Sequence, residues 1–206
     1  DISALVEGGN PTGGIVVGSG AGGVSLEEAK AQVARLSQMV TAQHFVDTRF
    51  QGRSAVGTDV RTELDDAWAR PEEFAAAPVV LEAGNDANDV SQGSLGDCWL
   101  LSAFSILAEH DDLMKQVLVT DERNEKGVVG VRLFKNGQWK LIVTDETFPV
   151  KSDVFSYEGA EKNLYRGDFR QRDMRGKKRL AAPAFCTSGT RNELWPMYLE
   201  KAYARY

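Results

Sequence analysis

The stretch QGSLGDCWLLSAFSILAEH, running from Gln92 to His110, decides how this chain is read. It reads as a loop that enters a buried helix, with a cysteine at the junction. Gly93 and Gly96 interrupt the approach. Asp97 is a candidate N-cap, which makes Cys98 the first helical residue. The following run WLLSAFSIL is almost wholly apolar, so the helix is expected to be covered on most sides. Unpaired N–H groups and the positive end of the macrodipole favour the thiolate of a cysteine placed there, the form that attacks carbonyls. A lone cysteine before an apolar helix is most often a small buried hydrophobe. Here the glycines let a substrate backbone approach. The Gln92 amide is placed to fold back over the thiol and, with the Cys98 backbone N–H, to form an oxyanion hole. Trp99 can wall the site.

Outward from this stretch, 42% of the 206 residues are hydrophobic, which suits one globular domain of ordinary size with length to spare. A formal net charge of -6 argues against general attraction to nucleic acid or anionic membrane. The two cysteines make no disulfide framework, so a reducing, intracellular setting is expected. No apolar run reaches membrane-spanning length, and the N-terminus has no signal-peptide pattern. The chain opens at Asp1 without a methionine and stops at Tyr206 inside a helical pattern, as a piece of a longer protein would.

Residues 1–24 are glycine-rich, with GGNPTGG and GSGAGG, and are expected to be a linker or wrapping arm without regular structure. Ser25 and Glu28 then make a capping box. Leu26, Ala29, Val33, Leu36 and Val40 recur at helical spacing, giving an amphipathic helix over 26–41 within a docking unit of residues 25–44. Its partner is either this domain or another protein. Residues 45–83 read as a loop-rich wrap with Trp68 as a packed anchor.

After the central helix, Asp111 and Asp112 open a short second one. VVGVRLF and QWKLIVT flank Lys-Asn-Gly, a hairpin signal. Residues 151–191 contain RGDFRQRDMRGKKR, with Arg166, Arg170, Arg172, Arg175, Lys177, Lys178 and Arg179 against Asp168 and Asp173. The stretch 160–182 is expected to be an exposed loop, either a solvated face or a dock for an acidic partner. Aromatic interleaving is too thin for nucleic acid. Cys186 has no neighbouring His or Cys and reads as a structural or free thiol. In the final helical pattern NELWPMYLEKAYARY, Pro196 belongs in the first turn and Asn192 is the expected N-cap.

The string QGSLGDCWLLSA closely resembles the nucleophile motif of calpains, the calcium-dependent cysteine endopeptidases. Asp47, Trp68, Arg70 and Pro71, the hairpin ending in Asp145 and Glu146 before Phe-Pro, and NELWPMYLEKAYAR extend the resemblance over residues 45–206. It implies an α+β fold, the first half of a papain-like protease core, with the basic segment of about 151–191 as an insertion. Cys98 matches the nucleophile and Gln92 the oxyanion-hole glutamine. The resemblance also implies a calcium site in EAGNDAND and the last helix: Glu82 and Gly84 by carbonyl, Asp89 and Glu193 by carboxylate. Calcium takes about six to eight hard oxygen ligands. Calpains carry an arginine between that glycine and aspartate, linking the site to the second subdomain. This chain has Ala87.

A thiol protease needs a base and a group to orient it. His110 is placed ~18 Å along the helix from Cys98 at ~1.5 Å per residue, and His44 matches nothing in the family. The calpain His and Asn come from a second subdomain, expected beyond residue 206. The primary expectation is therefore the nucleophile-bearing part of a calcium-dependent cysteine endopeptidase, acting on protein or peptide substrates and inactive alone. The alternative is a non-catalytic calpain-like module in a large, cytoskeletal assembly. Transglutaminase-type acyl transfer shares the chemistry, but the extended motif and Gln92 argue against it. A cytoplasmic location is expected, cytoskeleton-associated on the alternative.

Overall fold

The computed structural model describes residues 5–7, 10–52, 55, 68–82, 90–157, 179–189 and 192–206. Among them lie strands β1 (Val6–Glu7), β2 (Asn10–Pro11) and β3 (Gly14–Val17), helix α1 (Leu26–Met39) and strand β4 (Trp68–Ala69). Helices α2 (Cys98–Ala108) and α3 (Asp111–Val117) follow, then strands β5 (Val128–Lys135), β6 (Gln138–Asp145), β7 (Phe148–Tyr157) and β8 (Arg179–Pro183), and helix α4 (Trp195–Arg205).

The hairpin forms as its sequence dictates. Asn136 and Gly137 take φ of 55° and 77°, the left-handed pair that a two-residue turn between twisted strands requires. β5 and β6 then pair in register from Lys135–Gln138 to Val128–Asp145. Both strands are buried on both faces over Val128–Arg132 and Leu141–Asp145. Val129, Val131 and Ile142 enter one core with Leu100, Leu101 and Phe104 of α2 and Trp195, Tyr198 and Leu199 of α4. Val128, Leu141 and Val143 enter a second core with Ala29, Val33 and Leu36 of α1. The sheet is thus the middle layer between α1 and the α2–α4 side, as strands buried on both faces require. Gly130 permits the close approach of α1, since a Cβ there would lie 2.5 Å from Val33 Cγ2.

The N-terminal arm corrects one expectation. Residues 1–24 are not without regular structure, because β3 joins the same sheet antiparallel to β6, from Gly14–Val143 to Val17–Lys140. The physical reason is the unsatisfied edge of β6, which four residues of GIVV cover while Val16 enters the second core. Ser25 caps α1, its Oγ accepting the Glu28 N–H at 3.2 Å, while Glu28 Oε1 accepts from Gln32 Nε2; α1 docks on this domain.

A second sheet, ordered β4-β7-β8, lies beyond the hairpin. Arg179–Pro183 is therefore strand where an exposed loop was expected. Its backbone groups pair with those of β7, across a bulge between Lys151 and Phe155. The rest of that expected loop and its basic run, residues 160–178, lies outside the described residues. Trp68 is an anchor, edge-on to Phe50 at 6.3 Å and 5.1 Å from the Lys201 ammonium.

Three local expectations are also revised. α2 stops at Ala108, so His110 is not on the cysteine helix but caps α3. α2 is not covered on most sides: Trp99 is 61% and Ile106 63% exposed. The N-cap of α4 is Leu194 rather than Asn192, because Asn192 is committed elsewhere. Its Oδ1 accepts from the Ala77 N–H and its carbonyl from the Val79 N–H.

Candidate active site

Cys98 is the first residue of α2 and is exposed. The loop before it is held against the segment leading into α4. Ser91 and Thr187 exchange backbone hydrogen bonds of 2.8 and 2.9 Å, and the Ser94 N–H donates to the Ala184 carbonyl at 2.7 Å. Gly93 is needed for that fit, since a Cβ would sit 2.2 Å from the Ala184 oxygen. Gly96 instead faces open space. Of the two glycines expected to admit a substrate backbone, Gly93 is filled by the chain itself and Gly96 leaves room.

Gln92 is exposed, and its Nε2 donates to the Leu95 carbonyl at 3.0 Å. That bond curls the loop and leaves one amide N–H of the side chain for another acceptor. Trp99 packs edge-on against Tyr203 of α4 at 5.6 Å, so an exposed aromatic pair flanks the thiol. Asp97 occupies the N-cap position, but its side chain makes no capping bond. Its carbonyl accepts the Leu100 and Leu101 N–H groups at 2.8 and 3.2 Å, and its carboxyl contacts Glu200 of α4.

Glu200 is a site neighbour that sequence reasoning missed. It is 2% exposed, and its Oε2 accepts the Cys186 N–H at 2.6 Å. Burial, then Asp97, pushes its carboxyl well above the usual carboxylate range. Cys186 is a buried free thiol, pushed up by burial and then by Glu200. A Glu within a helical pattern reads as a solvent-facing residue, so nothing local marked it.

Neither histidine joins Cys98. His44 lines a 240 Å³ cavity with Arg70, Glu72, Arg123 and Glu146, and Cys98 is not part of its lining. There Arg123 donates to both Glu146 oxygens at 2.7 Å and also to Glu72. The Tyr198 hydroxyl donates to Glu146 as well.

Of the four expected calcium ligands, the structure brings two together. The Glu193 carboxylate is 3% exposed, and its Oε1 accepts the Glu82 N–H at 2.9 Å. Strand-like pairing fixes this: Val79 bridges Glu193, and the Leu194 and Trp195 N–H groups donate to the Val79 and Val80 carbonyls at 2.9 and 3.0 Å. Gly84 and Asp89 lie outside the described residues. A buried carboxylate is the hard-oxygen donor type that calcium takes, and here one Glu193 oxygen is held by the Glu82 N–H.

Comparison with known proteins bears on the same residues. The profile of the calpain family cysteine proteases matches residues 45–167. The calpain-type cysteine protease ADL1 of Oryza sativa subsp. japonica is 31% identical over 191 residues, covering 88% of this chain and 8% of that protein. The calpain-type cysteine protease DEK1 of Zea mays is 32% identical over 152 residues, covering 71% of this chain and 6% of that protein. The calpain-1 catalytic subunit of Homo sapiens is 30% identical over 141 residues, 67% of this chain and 16% of that protein. The chain thus spans less than a fifth of each relative. With a cysteine opening a helix in a mixed α+β core, and a family match running through both, this chain belongs to the calpain family of cysteine proteases.

Proposed function

We propose that this chain is the nucleophile-bearing, papain-like half of a calcium-dependent cysteine endopeptidase acting on protein or peptide substrates. The observation that carries the proposal is an exposed Cys98 at the first position of α2, beside a Gln92 loop anchored to the segment before α4. In this scheme Cys98 Sγ attacks the scissile carbonyl carbon. The Cys98 N–H and the free Gln92 amide N–H stabilise the oxyanion. The intermediate collapses with cleavage of the C–N bond, the leaving amine taking the thiol proton through the base, and water then hydrolyses the acyl-enzyme.

The proton of the thiol needs a base, and neither His44 nor His110 is placed to take it. The base and its orienting Asn are assigned to a second subdomain beyond residue 206. The exposed apolar face of α2, with Trp99 and Ile106, supports docking of such a half. The 206-residue chain alone is therefore expected to show no turnover. The test is casein or fluorogenic-peptide hydrolysis by the purified chain with a Cys98→Ala control. Turnover abolished by that substitution would mean that this chain carries its own base.

Calcium would be held by the Glu82 and Gly84 carbonyls and the Asp89 and Glu193 carboxylates. It would supply positive charge that ties the segment before Cys98 to the start of α4. With Ala87 in place of the linking arginine, its effect here is on fold stability. Calcium at millimolar concentration should raise the melting temperature of the wild type and not that of Asp89→Ala. Equal melting temperatures with calcium and with chelator would remove the ion from the proposal.

A further inference from the structure

Three titratable side chains meet behind Cys98, and among the described residues none of them pairs with a cation. Asp97 comes from the loop end, Cys186 from the segment before α4, and Glu200 from α4 itself. The next residue, Lys201, sends its ammonium away to Asp145 and Thr147. The Glu200 carboxyl lies against that of Asp97. Yet Asp97 Oδ1 and Glu200 Oε1 are buried and no N–H or O–H group of the described residues donates to them. Two carboxyl groups hydrogen-bond only when one keeps its proton, and two buried like charges in contact cannot both ionise cheaply. The other Glu200 oxygen already accepts the Cys186 N–H at 2.6 Å, so the proton belongs on the side facing Asp97.

We propose that Glu200 is a positioning residue for Cys98: it keeps a proton at neutral pH and donates it to Asp97, and this acid–acid bond fixes the first turn of α2. Asp97 is the residue whose carbonyl receives the Leu100 and Leu101 N–H groups, closing the first turn. Holding its side chain therefore sets where the Cys98 thiol and backbone N–H point. The catalytic meaning rests on Cys98 as nucleophile, whereas the proton and the geometry are measurable without turnover. The sign follows from Glu200, whose carboxyl is raised in the folded chain. The stability its proton contributes is complete below the ordinary carboxylate range and declines up to the raised value, where the bond itself is lost.

The test uses the 206-residue chain and its Glu200→Gln, Asp97→Asn and Glu200→Ala variants. Infrared difference spectra at pH 7 should show the carbonyl stretch of a protonated acid in the wild type, absent from Glu200→Gln and shifted in frequency in Asp97→Asn, which changes the acceptor. Absence of that band from the wild type would overturn the proposal. Glu200→Gln keeps both hydrogen bonds without a titrating group. Its Cys98 alkylation rate by iodoacetamide should match the wild type at neutral pH and exceed it by roughly threefold to tenfold above the raised Glu200 value, where the wild-type Glu200 ionises. A ratio that stays flat with pH would remove the positioning role. Glu200→Ala should slow alkylation about tenfold, a loss equivalent to a modest misplacement of the thiol, and Glu200→Gln should restore it. If Glu200→Ala does not fold, the infrared band and the Glu200→Gln profile still decide. Activity of a completed protease that survives Cys98→Ala would overturn the nucleophile while leaving the proton measurement standing.

Discussion

Glu200 and Lys201 are neighbours in α4, both buried, and they keep opposite company. Lys201 is fully buried. It donates to Asp145 Oδ1 at 2.5 Å, the Asp145 carbonyl at 3.0 Å and the Thr147 carbonyl at 2.5 Å. All three ammonium hydrogens are used, and the Trp68 and Phe148 rings close the site. Asp145 also accepts the Asp47 N–H at 2.6 Å and the Thr147 N–H and hydroxyl at 2.8 and 2.6 Å. Asp47 in turn accepts from Arg205 Nε at 3.0 Å. Burial pushes the Asp145 carboxyl up, but Lys201 and these donors outweigh it and hold it below the usual aspartate range. Glu200 has no cation among the described residues, so it answers burial by keeping its proton. One turn of helix thus shows two solutions to burying an acid, and they respond to pH in opposite directions.

The largest expected effect tests the paired side. Lys201→Met leaves Asp145 charged and buried, and should cost about 3–5 kcal/mol in denaturant unfolding at neutral pH. Because Asp145 is lowered in the wild type, its contribution is present above the ordinary aspartate value and lost as pH falls through the lowered one. The gap between variant and wild type should therefore narrow in acid. A gap that is constant with pH would mean that Lys201 acts by packing alone. The unpaired side should respond less. Glu200→Gln should lie within about 1 kcal/mol of wild type at neutral pH, and the variant should gain on the wild type as pH rises. Relative loss on raising the pH would break the contrast between the two acids. The smallest effect serves as a control on the surface. Lys30 and Asp121 pair at 3.1 Å with side chains 43% and 60% exposed, and Lys30→Ala should change stability by about 0–1 kcal/mol. A larger loss would show that burial is not what separates these charges.

Local features of the chain were legible where local chemistry decides them. The Asn-Gly turn, the Ser25 cap, the start of α2 at Cys98 and the apolar stripe of α1 each follow from a few adjacent residues. β3 was not legible, because GIVV in a glycine-rich arm has no local partner and pairs only with β6. A signal did exist elsewhere: VVGVRLF is apolar on both strand faces, so something had to cover the side opposite α2 and α4. Asp97 illustrates the same limit at the site. Its N-cap position follows from the sequence, but the destination of its side chain depends on Glu200, far along the chain. Of the calcium set, the meeting of Glu82 and Glu193 depends on pairing between residues 79–82 and 192–195, which the resemblance implied and no local pattern would give.

The place of β3 at the sheet edge also sets an order of events in folding. The β5–β6 hairpin closes over two turn residues and needs nothing else to begin. β3 must find β6 across more than half of the chain, from Gly14 to Val143, and closing so large a loop comes at an entropic cost that only a preformed hairpin can offset. On a ribosome the arm emerges before the hairpin and docks after it. Until the hairpin exists, the apolar stripe of α1 has no sheet to cover, so a segment synthesised before the hairpin is buried after it.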